Sequence, residues 1–247
     1  MTAQRGAPVT FGITGASGAP YAVRLLRAFN ETATPVRLIV STYGWRLLAE
    51  ETGIDGLQAL QAATGDWSRV ELYDSLDRGA TPASGSAPSG GMVICPCSMG
   101  TLASIAAGTS RNLVERAADV ALKERRPLIL VPRETPLSLV HLENMVRLTR
   151  AGAVVMPAAP GFYHRPRSID DLVDFIAARV LDHLGIEHSV GRRWKSGERQ
   201  GTGDRGQPAT AKVHRPPRPP DDVEESTTTW SRAAPACCPL SPVTCPL

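Results

Sequence analysis

The sequence predicts an α/β protein built on a doubly wound parallel sheet, and three observations carry that expectation. Short apolar runs without strict polar alternation recur along the chain, as strands covered on both faces require. Segments of helical periodicity lie between them, which implies crossover connections and a parallel sheet. Glycine-rich and hydroxyl-bearing segments follow two of the runs directly, where such a sheet binds ligands.

The first run is Val9–Ile13, followed by the turn Thr14-Gly15-Ala16-Ser17-Gly18-Ala19. A helix then opens with Pro20, tolerated in a first turn because no backbone donor is needed there, and stacks Tyr21, Leu25 and Phe29 beside Leu26. Val36–Val40 is the second strand and Val70–Tyr73 a weaker one. A stretch rich in Gly, Ser, Ala and Pro, 79–91, reads as a mobile loop within the same sheet. Further strands are expected at 92–95, 128–131 and 153–156, and helices at 112–123, 137–150 and Ile169–Leu184. The last helix opens with Ser168 and Asp171 in capping-box spacing, Asp standing in for Glu or Gln.

Composition divides the chain of 247 residues near residue 195. Residues 196–247 carry 9 of the 21 prolines and 3 of the 5 cysteines, with no Ile, Phe or Met. Such a segment buries too little apolar surface to offset the entropy of ordering it, so a disordered, Pro-rich tail is expected. The formal net charge of +3 belongs to residues 1–195, where 21 basic residues face 18 acidic ones. That balance is too mild for a nucleic-acid surface. One domain is expected over 1–195. No apolar stretch reaches the length of a membrane span and Met1 to Thr10 has no apolar signal core, so a cytoplasmic protein is expected. Cys95 and Cys97 form no zinc or disulfide signature and read as thiols at the end of a buried strand.

Two junctions have the residues a ligand site needs. In the first, glycines let backbone approach a ligand and Ser17 adds a hydroxyl, although a structural tight turn explains the pattern as well. It matches neither G-x-G-x-x-G nor a P-loop. In the second, Cys95-Pro96-Cys97-Ser98-Met99-Gly100-Thr101, Ser98 and Thr101 fit two roles equally: capping the next helix, or bonding a phosphate. Asn112, Arg116, Asp119 and Lys123 share one helical stripe, with Arg116 and Lys123 about 10.5 Å apart along the axis. A solvated face and a phosphate clamp both fit. After the 128–131 run stand Arg133 and Glu134, a surface ion pair or a phosphate clamp beside a proton-moving carboxylate. Tyr163 is a lid, a phosphate donor or loop packing, and Arg179 borders the apolar stripe of the last helix. His141 and Glu143 lack a third ligand at metal spacing and read as structural.

In family order, the runs TGASGAPYAVRLL, ASGS, VICPCSMGTLASIA, NLVERAADVALKERRPLILVPRETP, HLENM and PAAPGFYHRP together resemble the UbiX-type flavin prenyltransferases, from about Val9 to Trp194. The resemblance implies a flavodoxin-like Rossmann fold of three αβα layers that binds reduced FMN and dimethylallyl monophosphate, without a metal. It implies transfer of the dimethylallyl group to flavin N5 and ring closure at C6, giving prenylated FMN for a UbiD-type decarboxylase and so a link to ubiquinone biosynthesis. Carried across, Gly15, Ala16, Ser17, Ser41, Ser98, Met99, Gly100, Thr101 and Arg133 hold the flavin. Arg116, Lys123, Tyr163 and Arg179 grip the donor phosphate, with Glu134 nearby, and Ser17, Glu51 and Glu134 form the catalytic set. Neighbouring subunits of a homo-oligomer, commonly a dodecamer, supply several of these groups. Gly100 departs from the family, which often has a longer residue such as Lys there, and the tail matches nothing in it.

Two rivals share the fold. An FMN-dependent cysteine decarboxylase carries a PxSAN-like motif where this chain has CPCSMGT, and a catalytic His early in the chain, whereas no His precedes His141 here. A flavin carrier needs no second phosphate site, and the presence of Glu51, Lys123, Glu134 and Arg179 argues against it.

Overall fold

The computed structural model describes residues 6–191. Six strands, β1 (Val9–Ile13), β2 (Val36–Val40), β3 (Val70–Tyr73), β4 (Met92–Cys97), β5 (Leu128–Pro132) and β6 (Val154–Val155), form one parallel sheet in the order β3-β2-β1-β4-β5-β6. Without the short edge strand β3, the succession is that of a flavodoxin-like sheet. The order reverses between β1 and β4, so the loops leaving these two strands diverge and open a crevice at the carboxyl edge.

The helices are α1 (Ala19–Glu31), α2 (Thr42–Thr52), α3 (Gly56–Thr64), α4 (Met99–Ala107), α5 (Leu113–Lys123), α6 (Leu139–Arg150) and α7 (Ile169–Leu184). Two apolar clusters sandwich the sheet and make the three layers. Phe11, Leu38, Val93 and Ile129 face α1, α3 and α7, whereas Ile39, Ile94 and Leu130 face α4, α5 and α6. Phe11 and Phe29 are fully buried and meet edge to face at 5.8 Å. Truncating either to Ala costs about 3–5 kcal/mol by lost burial and the cavity left behind.

Several expected boundaries shift. β4 continues to Cys97, past the expected end at residue 95, with a register irregularity between Ile94 and Cys97 and a cis Cys95–Pro96 bond. Simple alternation would put Cys95 and Cys97 on one face, but Cys95 joins the first cluster and Cys97 the second. Both thiols are fully buried; burial pushes Cys95 far up and Cys97 up to about 12, so neither ionises at neutral pH. α6 starts at Leu139 because Ser138 caps it reciprocally with His141, and Asn112 caps α5 from outside. Ser168 and Asp171 make the expected capping box on α7. β6 shortens to two residues at the sheet edge.

The 79–91 stretch is not a free loop: it contains a 3-10 turn at Thr81–Ala83, and Arg126 bonds Gly85 O while Arg37 bonds Pro88 O at 2.9 Å. α2 and α3 have no counterpart in the expected elements. Each buries only two residues, Gly44 and Leu48 or Leu60 and Thr64, too few for an apolar stripe to show. The expected tail at 196–247 lies outside the described residues. Among the described residues no helix is long and apolar enough to cross a membrane.

Candidate active site at the strand-order reversal

Thr14 directly follows β1 and ties the two walls of the crevice together. It is buried; its N–H and hydroxyl both donate to Pro96 O, at 3.2 and 3.0 Å, and its oxygen accepts the Ser98 N–H at 2.9 Å. The hydroxyl therefore acts as donor and acceptor at once, and a Val of the same shape would leave an orphaned N–H at Ser98.

Beyond Thr14 the backbone must pass under α2. A Cβ on Gly15 would stand 2.5 Å from Tyr43 Cβ, a distance no side chain can tolerate. Gly18 has φ 128°, a conformation that L side chains rarely adopt, and its N–H points to Glu51 on α2. One oxygen of Glu51 accepts the N–H groups of Gly18 and Ala19, at 2.8 and 2.7 Å. A carboxylate delivered from a neighbouring helix thus fills the positive N-terminus of α1. Partial burial pushes its pKa up, but the Gly18 N–H, the Ser17 hydroxyl, the Ala19 N–H and the charge of Arg133 outweigh that and hold it below the ordinary carboxylate range. Glu51 is ionised at neutral pH. Arg133, just beyond β5, donates to Ser17 O at 3.1 Å and closes the third side.

The other junction is left open. Ser98 caps α4, accepting the Thr101 N–H at 3.2 Å and donating to the Thr101 hydroxyl at 3.0 Å. Of the two roles open to Ser98, capping is made within the chain. Met99 is buried, while Gly100 is exposed with open space around it. The first N–H groups of an α-helix have no intrahelical acceptor, so Met99 and Gly100 offer theirs at the crevice. Ser41 likewise caps α2, accepting the Gly44 N–H at 3.0 Å.

Gly15, Ala16, Ser17, Ser98, Met99, Gly100, Thr101, Arg133 and Glu51 are thus brought around one crevice. Ser41 adjoins it through its N–H to Ile13 O at 3.0 Å. Glu134, next to Arg133, turns its carboxylate to the Thr135 N–H at 3.1 Å.

The four cationic and phenolic residues do not form one group: Arg116 and Lys123 lie on α5, Tyr163 and Arg179 at the α7 layer. Arg116 pairs with Asp119 at 2.6 Å and Lys123 pairs with Glu124, both on the α5 layer. Because α5 runs back from the carboxyl edge, Lys123 at its end stands at the opposite, amino edge of the sheet, against the 79–91 loop at Gly85. Tyr163 and Arg179 belong to the α7 layer and line a cleft of about 410 Å³, with Arg179 bonded to Asp182 at 3.0 Å. Tyr163 packs edge to face on Phe175 at 5.9 Å.

Two residues that hold this region together had no assigned role in the sequence reading. Thr14 is one; its only signal is a hydroxyl side chain directly after the apolar end of β1. Glu115 is the other, 2% exposed on α5 and accepting the Arg111 N–H at 2.7 Å and the Asn112 amide at 3.1 Å. It fixes the α4–α5 connection, and a helical Glu carries no sequence mark of burial. No group of three or more metal-ligating side chains occurs among the described residues.

Comparison with known proteins agrees with this geometry. Residues 1–181 match the family model described as Flavoprotein. The flavin prenyltransferase UbiX of Pseudomonas aeruginosa is 48% identical over 194 residues, covering 75% of this chain and 93% of that one. A crystal structure of a UbiX (PadA1) in complex with FMN and dimethylallyl pyrophosphate superposes with a TM-score of 0.73 at 38% identity, covering 78% of this chain and all of that one. A dodecameric FMN-dependent UbiX-like decarboxylase from Escherichia coli O157:H7 gives 0.71 at 43% identity, over 76% and 99%. Fold, crevice and relatedness converge, and the chain belongs to the flavoproteins and, within them, to the UbiX flavin prenyltransferases.

Proposed function

We propose that this chain transfers a dimethylallyl group from a dimethylallyl phosphate to N5 and C6 of reduced FMN, releasing prenylated FMN for a UbiD-type decarboxylase. The observation that carries the reading is Glu51: an ionised carboxylate, held by two backbone N–H groups and Ser17, at the strand-order reversal where a flavin fits. The crevice fits the cofactor in two respects. α4 presents open N–H groups and a hydroxyl pair to a phosphate, and Gly15 leaves the β1 loop without a side chain at its closest approach to α2. Bound reduced FMN supplies the nucleophilic N5 and the carbon that closes the new ring.

The chain's own residues do the rest. Ser98, Met99, Gly100 and Thr101 hold the flavin on one wall, and Gly15, Ala16, Ser17, Ser41 and Arg133 on the other. Cleavage of the allylic C–O bond leaves charge on the phosphate, which Lys123, Arg116, Tyr163 and Arg179 neutralise without a metal. Glu51, with Ser17, accepts the proton released by ring closure, and Glu134 assists at the donor phosphate.

In a single chain Lys123 stands at the far edge from the crevice, so the donor site is completed by neighbouring copies. A homo-oligomer, of the dodecameric kind described for the Escherichia coli relative, supplies them. α6 supports this: it buries only Leu148 and turns Leu139, Val140, Leu142 and Val146 outward, with Leu139 71% and Val140 63% exposed. Residues 1–195 form the catalytic part, in a reducing, cytoplasmic setting that keeps FMN reduced.

The test is anaerobic incubation of reduced FMN with dimethylallyl monophosphate, and in parallel with the pyrophosphate, followed by mass spectrometry of the released flavin. A prenyl mass increment is expected, and activation of an apo UbiD-type decarboxylase by the product. Absence of the increment from folded, flavin-loaded protein overturns the proposal. A chain ending at Trp194 that loses transfer overturns the assignment of catalysis to 1–195.

A further inference from the structure

Arg179 is half-exposed on α7, and an i,i+3 pairing with Asp182 is by itself too weak to hold so long a side chain in one rotamer. The structure adds a third member. His188, four residues beyond the end of α7, has a side chain only 1% exposed, and its Nε2 lies 3.2 Å from Asp182 Oδ1 while Arg179 bonds Oδ2 at 3.0 Å. Both oxygens of Asp182 are therefore engaged, one on each side.

The tautomer of His188 follows from its other nitrogen. Nδ1 accepts the Val190 N–H at 3.1 Å, so it carries no proton, and the proton sits on Nε2, where it is donated to Asp182. Val190 is itself buried in the α1–α7 core cluster. A chain of bonds thus runs from the packed core through backbone, imidazole and carboxylate to a guanidinium lining the same cleft as Tyr163. Only one N–H of Arg179 is spent on Asp182, and its remaining donors are left for an anion in the cleft.

We infer that Asp182 and His188 are positioning residues for Arg179, setting its guanidinium to receive the phosphate of the prenyl donor. This rests on the reading of Arg179 as a phosphate ligand. The alternative, that Asp182 is merely a nearby charge, predicts the opposite sign: removing a negative charge beside an anion site should tighten donor binding. Positioning predicts that it weakens.

The experiment is steady-state kinetics of the full-length protein with dimethylallyl monophosphate at saturating reduced FMN, on D182N, H188A, H188Q and R179A, with flavin retention and Tm alongside. D182N and H188A are expected to raise KM for the donor about tenfold with kcat little changed and FMN retention intact, the loss of one oriented charge-assisted contact. H188Q keeps an N–H at the place of Nε2 and is expected to recover most of that affinity. An unchanged or lower KM in D182N, or in H188A a fallen Tm with unchanged KM, overturns the positioning role while leaving Arg179 in place. Unchanged donor KM in R179A instead overturns the phosphate reading of Arg179. D182N is at a half-exposed position, so folding failure in H188A does not spare the inference.

Discussion

The crevice between β1 and β4 and the cationic residues on α5 and α7 belong to one proposed reaction, yet they are built in opposite ways. The crevice is complete within one chain. Thr14 joins its walls, Glu51 is held by backbone N–H groups, and Arg133 reaches back to Ser17. The cationic residues lie in different layers, Lys123 at the amino edge and Arg179 beside a cleft on the α7 layer, each paired with a local carboxylate. The difference teaches that strand order alone gathers the crevice residues within one protomer, whereas on the proposed function the donor-phosphate residues come together only through a second level of assembly.

Glu51→Gln breaks the first region where its chemistry is concentrated. Gln still accepts the Gly18 and Ala19 N–H groups but cannot take a proton. Prenyl transfer is expected to fall on the order of 10²–10⁴-fold, the usual loss of a general base, with FMN retention nearly unchanged. Single-turnover assay and flavin titration separate the two; equal losses would assign Glu51 to binding. Leu139→Glu with Val140→Glu breaks the second region by charging the apolar face of α6. The expected outcome is a smaller species by sedimentation that retains flavin but loses about 100-fold or more in kcat/KM for the donor, because displaced phosphate ligands no longer orient it.

Thr14→Val sharpens the contrast at lower amplitude. It leaves the Ser98 N–H unsatisfied inside the protein, and about 1–3 kcal/mol of stability should be lost in denaturant titration, together with flavin affinity. Ser98→Ala removes one N-cap and should cost about 1 kcal/mol by the same measurement. The smallest effect is in pH. Glu51 has a folded pKa below its ordinary value of 4.5, so it binds its proton more weakly folded than unfolded. Its contribution is fully present above that ordinary value and is lost as pH falls through the lower folded one. Glu51→Gln should flatten the acid limb of the stability profile and leave stability above pH 6 unaffected in slope.

Legibility differed along the same divide. The four buried strands β1, β2, β4 and β5, the helices α1, α5 and α7 and the capping box of Ser168 and Asp171 were readable because each writes its burial into a local period or spacing. α2 was not, since a helix burying only Gly44 and Leu48 leaves no period, yet it delivers Glu51 and Ser41. Without the resemblance, nothing local distinguishes Glu51 from its neighbour Glu50, which pairs with Arg46 at 2.7 Å on the surface. The pattern around Ser98 fits cap and ligand alike; in the fold its hydroxyl accepts the Thr101 N–H as a cap.

By itself the sequence determined the layer architecture, the two loops at the carboxyl edge and the family, because apolar periodicity and glycine placement are local constraints that a chain must write out in order. Only the tertiary structure decided that α1's N-terminus is already filled by Glu51 while α4's is open, that Thr14 rather than Ser17 binds the walls together, and that Lys123 and Arg179 stand in separate layers. These are contacts between residues 32 to 84 positions apart, or facts of which sheet edge a helix ends on. Strand order and crossover direction fix them, and no local pattern encodes either.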